Sequence, residues 1–76
     1  MKIDLSKKAE KFLDKLSDRQ SHRILTALWK LPAGDVKPMQ GEDGFRLRVG
    51  DWRILYDIVD NVIIVREIGS RGDIYK

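Results

Sequence analysis

Three arginines fall within eight residues of the stretch GFRLRVGDWRILYDI, residues 44–58, and their spacing decides what chemistry they can do. If Gly50 and Asp51 form a two-residue hairpin loop, counting outward pairs Val49 with Trp52, Arg48 with Arg53, Leu47 with Ile54, Arg46 with Leu55 and Phe45 with Tyr56. Side chains alternate between faces, so Phe45, Leu47, Val49, Trp52, Ile54 and Tyr56 share one side and Arg46, Arg48 and Arg53 the other. Like charges directly opposed weaken a strand pair, and a bound anion is the natural counterweight. Guanidinium groups grip phosphate oxygens two at a time and stay charged at every relevant pH. With Arg71 and Tyr75 in the closing segment, the set reads as a site for a phosphodiester or as a plain protein-docking surface. The spacing does not choose between them. A one-residue slip of the hairpin would turn all three arginines toward the opposite face, at a burial cost that rules the slip out.

The elements that must position these residues follow from the flanking pattern. KIDL, residues 2–5, is a short strand with Ile3 and Leu5 alternating. Ser6 suits the N-cap of a helix whose apolar stripe is Ala9, Phe12, Leu13 and Leu16. SDRQ, residues 17–20, has capping-box spacing and starts a second helix at once, with Ile24, Leu25, Leu28 and Leu31 as its stripe. Pro32, Ala33 and Gly34 end it, which predicts an αα-hairpin. Residues 33–44 read as a loop into the sheet. Beyond Tyr56 the strand runs to Val59, turns at Asp60 and Asn61, and returns as VIIVREI, residues 62–68; GSRGDIYK closes the chain as a turn-rich segment. The predicted class is α+β: one small domain over residues 1–76, in the order β-α-α-β-β-β, with the helix pair packed on one face of an antiparallel sheet. The arginines then lie on the other face.

Bulk properties narrow the setting. Seventy-six residues make at most one domain, with a thin core. A 42% hydrophobic share is enough for a folded domain. Fifteen Lys and Arg against twelve Asp and Glu leave a net charge of +3, a mild pointer to nucleic acid. The absence of cysteine excludes disulfides and cysteine-based metal sites and fits a reducing compartment. No apolar run approaches the ~20 residues of a membrane span, and no signal-peptide core follows the start, so a cytoplasmic location without membrane contact is expected.

Other residues read more plainly. His22, the single histidine, sits beside the stripe of the second helix as a surface or half-buried side chain; with no second histidine, neither zinc nor another metal is expected. Trp29, Trp52, Phe12 and Phe45 read as packing residues rather than base-stacking platforms. Glu42 and Asp43 are turn-formers ahead of the arginine strand, although a carboxylate there can also reach the basic face as a proton acceptor.

Three phrases together resemble the RelE/ParE toxin superfamily of toxin–antitoxin systems: the opening KIDLSKKAEKFLDKL, the hairpin FRLRVGDWRILYDI and the closing VREIGSRGDIY. The likeness covers nearly the whole chain in the same order, and RLRVGDWRILY is its most specific part. It implies a RelE-like microbial ribonuclease-type fold and, for the RelE branch, an mRNA interferase acting in the ribosomal A site without a cofactor. In that chemistry the ribose 2′-OH attacks the adjacent phosphate and leaves a 2′,3′-cyclic phosphate and a 5′-OH. By position, Arg53, Arg71 and Tyr75 would be catalytic, and Arg46 and Arg48 would bind the RNA phosphates. The resemblance also implies a cognate antitoxin, a 70S-type ribosome carrying mRNA, and operator DNA bound only as a toxin–antitoxin complex.

The chain departs from the RelE pattern in three ways. Arginines stand where some members have lysines, and an arginine with a pKa above ~12 is a poor proton shuttle, so Arg46 and Arg48 would act electrostatically. No histidine lies in the closing segment, which leaves the general base open among Tyr75, Glu42 and water. The sequence stops at Lys76, where longer relatives add a helix. The alternatives on the same fold are a ParE-like DNA gyrase poison without nuclease activity and an inactive protein-binding relative.

Overall fold

The computed structural model describes residues 2–31, 34–38 and 44–70. The chain opens with strand β1 (Lys2–Leu5), followed by helices α1 (Lys7–Asp14) and α2 (Asp18–Trp29). Strands β2 (Asp35–Pro38), β3 (Phe45–Val49), β4 (Trp52–Val59) and β5 (Val62–Ser70) complete it.

Local chemistry starts and stops each helix. The Ser6 hydroxyl accepts from the Ala9 amide at 3.1 Å to cap α1 and donates to the Arg66 carbonyl at 2.7 Å, pinning the helix start to β5. The capping box of α2 forms as its spacing predicts: Gln20 N–H donates to Ser17 Oγ, and Ser17 N–H to Gln20 Oε1, each at 3.2 Å. The Ser21 hydroxyl then donates to the Leu13 carbonyl at 2.8 Å and ties the two helices together. Ala9 and Leu13 from α1 and Ile24 and Leu28 from α2 are buried, with Phe12, Leu16, Leu25 and Leu31 packed around them.

The first hairpin has the predicted register and the second the predicted turn. Around Gly50 and Asp51, Val49 faces Trp52, Arg48 faces Arg53, Leu47 faces Ile54, Arg46 faces Leu55 and Phe45 faces Tyr56. Gly50 supplies the positive φ, +58°, that such a loop needs at its first position. At the other hairpin Val59 faces Val62, and Asp60 and Asn61 both take positive φ, as a type I′ loop requires.

The sheet differs from the sequence reading in three respects. It has five strands in the order β1-β5-β4-β3-β2, and β1 runs parallel to β5, so the sheet is mixed rather than purely antiparallel. No turn links β1 to β5, so counting outward from hairpins cannot reveal that pairing. Within the expected loop 33–44, Asp35–Pro38 forms β2 on the edge of β3, with Val36 opposite Leu47. Its four residues hold one apolar side chain apart from the terminal proline, too little for a period-two signal, and Pro38 suits an edge strand. Finally, β5 continues through Gly69 and Ser70, two residues beyond the predicted strand end. Between Leu55 and Tyr56 the ladder slips, so that Leu55 faces Glu67 while Tyr56 faces Val65 and Arg66 is the extra residue of a bulge.

Leu47, Val49, Ile54, Tyr56, Ile63, Val65 and Ile68 meet the helices in one core. Phe45 and Trp52 pack at its border, and Phe45 stacks on Tyr56 with ring centroids 5.5 Å apart. Trp29 breaks the expected pattern: it is 68% exposed at the end of α2. One turn after Leu25, it lies on that residue's flank of the helix, away from the Ile24 and Leu28 side that fills the core.

Candidate arginine face of the sheet

The hairpin register sets Arg46, Arg48 and Arg53 on the sheet face turned away from the helices. Arg48 is exposed and directly opposite Arg53; Arg46 is half-buried and opposite Leu55. The face is not the open plane that the sequence suggests. Arg53 is only 3% exposed and Leu55, outside the helix-side core, 8%. Arg53 Nη1 donates to the Trp52 carbonyl at 3.2 Å, and its neighbour on β5 is Gly69, which puts no side chain beside it. A cation enclosed in this way acts through a lower dielectric than one in water, so its field on an arriving anion is stronger. Arg53 is thus enclosed, whereas Arg48 opposite it is exposed.

Two residues on this face were not singled out from the sequence. Asp57 follows Tyr56 on β4, and Arg66 Nε contacts its Oδ2 at 3.1 Å. Counting outward from Asp60 and Asn61 would have found Arg66, since with Ile63 and Val65 on the core side alternation turns it to the arginine face; what the bulge hides is Glu67, which strict alternation would send to the core side. Glu67 in turn pairs with Lys8 of α1 at 3.0 Å, an exposed contact of small energetic weight.

Glu42, Arg71 and Tyr75, with Asp43, lie outside the described residues. His22 is exposed on α2. Among the described residues, no group of three His, Cys, Asp or Glu side chains could hold a metal ion, and no helix is long and apolar enough to cross a membrane. An open groove of about 410 Å³ lies on the helix side, over Leu5, Leu13, Leu16 and Leu25. Glu10, Asp14 and Asp18 line it, so its charge repels phosphate. The arginine face is the candidate site.

Solved structures share this fold. The chain is 27% identical to a chain of the archaeal RelE–RelB complex from Pyrococcus horikoshii OT3, covering 95% of this chain and 96% of that one, with a TM-score of 0.76. A chain of the RelB–RelE antitoxin–toxin complex from Methanococcus jannaschii is similar over 95% of this chain and 94% of its own, at 24% identity and a TM-score of 0.78. The intact E. coli RelBE toxin–antitoxin complex supplies another, with 20% identity, 93% and 96% coverage and a TM-score of 0.67. No curated protein sequence matches the chain. The fold is therefore that of RelE-like proteins. Residues 3–75 match the family of the ParE toxin of type II toxin–antitoxin system, parDE, and the chain belongs to it, within the RelE/ParE toxin superfamily.

Proposed function

We propose that this toxin is a ribosome-dependent endoribonuclease that cuts mRNA in the ribosomal A site and is held in check by a cognate antitoxin. The observation that carries the reading is the direct opposition of Arg48 and Arg53, with Arg46 beside them, on the face away from the core. Two guanidiniums set across a strand pair weaken the sheet, and a bound phosphodiester gives that arrangement a use. In the reaction the ribose 2′-oxygen bonds to phosphorus and the bond from phosphorus to the 5′-oxygen breaks. The 2′-OH proton passes to a base, and the leaving 5′-oxygen gains a proton. Arg53 stabilises the charge that builds on the phosphate oxygens, an effect commonly worth ~10²–10³ in rate for one such donor. Arg46 and Arg48 hold the RNA backbone. Arg71 assists the leaving oxygen, and Tyr75 or Glu42 accepts the proton or yields that role to water. The antitoxin partner is supported by the RelB-bound and RelBE complexes among the similar structures.

The matched family favours a second reading, a poison of DNA gyrase with no nuclease chemistry. One experiment separates the two. Purified toxin is added to A-site-empty ribosomes loaded with mRNA, to the same RNA alone, and to gyrase with supercoiled DNA. The proposal expects cleavage on the ribosome with a 2′,3′-cyclic phosphate end and little on naked RNA, because the A site supplies the in-line geometry that the sparse acid–base groups cannot. Gyrase-dependent DNA breaks without RNA cleavage would give the case to the second reading.

A further inference from the structure

Guanidiniums recur along β3 at Arg48 and Arg46, and two residues before Arg46, just ahead of the strand, the sequence has Gly44. Gly44 has φ +113°, a backbone that favours glycine, and the space its side chain would fill is taken. A β-carbon built there would stand 2.7 Å from Asp57 Oδ1 and 2.8 Å from Arg66 Nη2. Arg66 thus reaches from β5 past Asp57 on β4 to lie beside Gly44, the residue before β3. Following Val65 of the core, Arg66 faces the arginine side as the extra residue of the β5 bulge, and its Nε meets Asp57 at 3.1 Å while its Nη2 lies beside Gly44.

The pair is part-exposed, at 43% for Arg66 and 31% for Asp57, so it adds little to stability. Its consequence is positional. Two residues of strand advance about 6.8 Å, close to the spacing of successive phosphates in an extended single strand. Arg46 and Arg48 are one such step apart on β3, and the Nη edge of Arg66 lies beside Gly44, two residues before Arg46.

We propose that Arg66, oriented by Asp57 and seated over Gly44, is a third phosphate-binding position for single-stranded RNA laid along β3, in line with Arg46 and Arg48. The proposal rests on the reading of the arginine face as an RNA-binding surface and adds the direction of the strand and a minimum length of three phosphates. Asp57 offsets much of the charge of Arg66 at long range. Its charge is therefore felt chiefly once a phosphate is in contact, where a cationic side chain at this position releases a counterion.

The test is binding of short uridine oligonucleotides with one, two, three or four phosphates to the full chain, titrated over a range of salt, with Arg66→Gln, Arg66→Lys and Arg48→Gln as variants. For the unaltered protein affinity rises up to the third phosphate and then levels off. Arg66→Gln removes the gain from the third phosphate and lowers the slope of log affinity against log salt by about 0.7, so a fourfold change in salt alters its affinity ratio to the parent by about 2.6-fold. Arg66→Lys recovers the slope. If Arg66→Gln binds every length as the parent does while Arg48→Gln weakens binding, the third position is wrong and the RNA-binding face stands. If Arg66→Lys is as weak as Arg66→Gln, the loss is one of packing and the proposal also fails. If no oligonucleotide binds the unaltered protein, the RNA reading of the face falls, and this proposal with it.

Discussion

Arg53 sits at the centre of the candidate site and also inside the protein, 3% exposed and directly opposite another arginine. A charge enclosed beside a like charge is a poor choice for stability, and replacing a buried ion by an apolar side chain of similar volume is often neutral or stabilising. Arg53→Met is therefore expected to raise the melting temperature by several degrees, since about 1 kcal/mol shifts a domain of this size by about 4–8 °C. Arg48→Ala, which removes the exposed partner, should leave the melting temperature equal or slightly higher. Both variants should lose toxicity when expressed without an antitoxin. Differential scanning calorimetry and a growth assay check the two halves. A lowered melting temperature for Arg53→Met would show that the guanidinium is a structural anchor, and its placement in the reaction would have to be withdrawn.

Among the elements, the β3–β4 hairpin does the most to place the site, because one register puts three arginines on one face and Leu47, Val49, Ile54 and Tyr56 on the other. Ile54 is fully buried and Leu47 nearly so, at 1% exposure. An aspartate at either position would bury an unpaired charge against the helices. Leu47→Asp and Ile54→Asp are expected to abolish cooperative unfolding, read by far-UV circular dichroism in urea. A sharp, parent-like transition in either variant would mean that the hairpin faces the other way. The pairing of this hairpin was legible because Gly50 and Asp51 leave one economical count and alternation does the rest. The helix starts were legible for a similar reason, since Ser6, and Ser17 with Gln20, act within one turn of their own positions. Strand β2 was not legible, because DVKP has almost no period-two pattern and becomes a strand only where the edge of β3 offers it hydrogen bonds.

For the whole molecule, Tyr56 links the layers: it is 2% exposed, belongs to the helix-side core and stacks on Phe45. Burial raises its pKa above the ordinary value of 10.0, since the phenolate would have to form away from water. The unfolded chain ionises this group first, so the unfolded state binds fewer protons above about pH 10 and stability falls as pH rises. Below that range the contribution is fully present, and it is lost as pH rises from the unfolded toward the folded pKa. Urea midpoints measured from about pH 8 to about pH 11 should fall for the parent and fall less for Tyr56→Phe. Identical pH profiles would show that the phenol is not held away from water.

What the sequence determined by itself is whatever a few neighbouring residues can impose: the α+β class, two capped helices, one hairpin register and the turn of a second hairpin, and the placing of Arg46, Arg48 and Arg53 on one face. Those features come from local hydrogen bonds and from the strict alternation of a strand, and both act over short distances along the chain. Tertiary structure decided the rest. The parallel pairing of β1 with β5 joins residues about sixty positions apart, and no local rule specifies it. The bulge at Arg66 appears only when β5 must match β4 and also return Ile68 to the core, and no local pattern announces it. The same packing encloses Arg53 and leaves Trp29 in solvent, although the spacing of the arginine and the apolar nature of the tryptophan suggest the reverse. Burial belongs to the assembled layers, because it depends on which surfaces meet, and a residue's type states only what that meeting will cost.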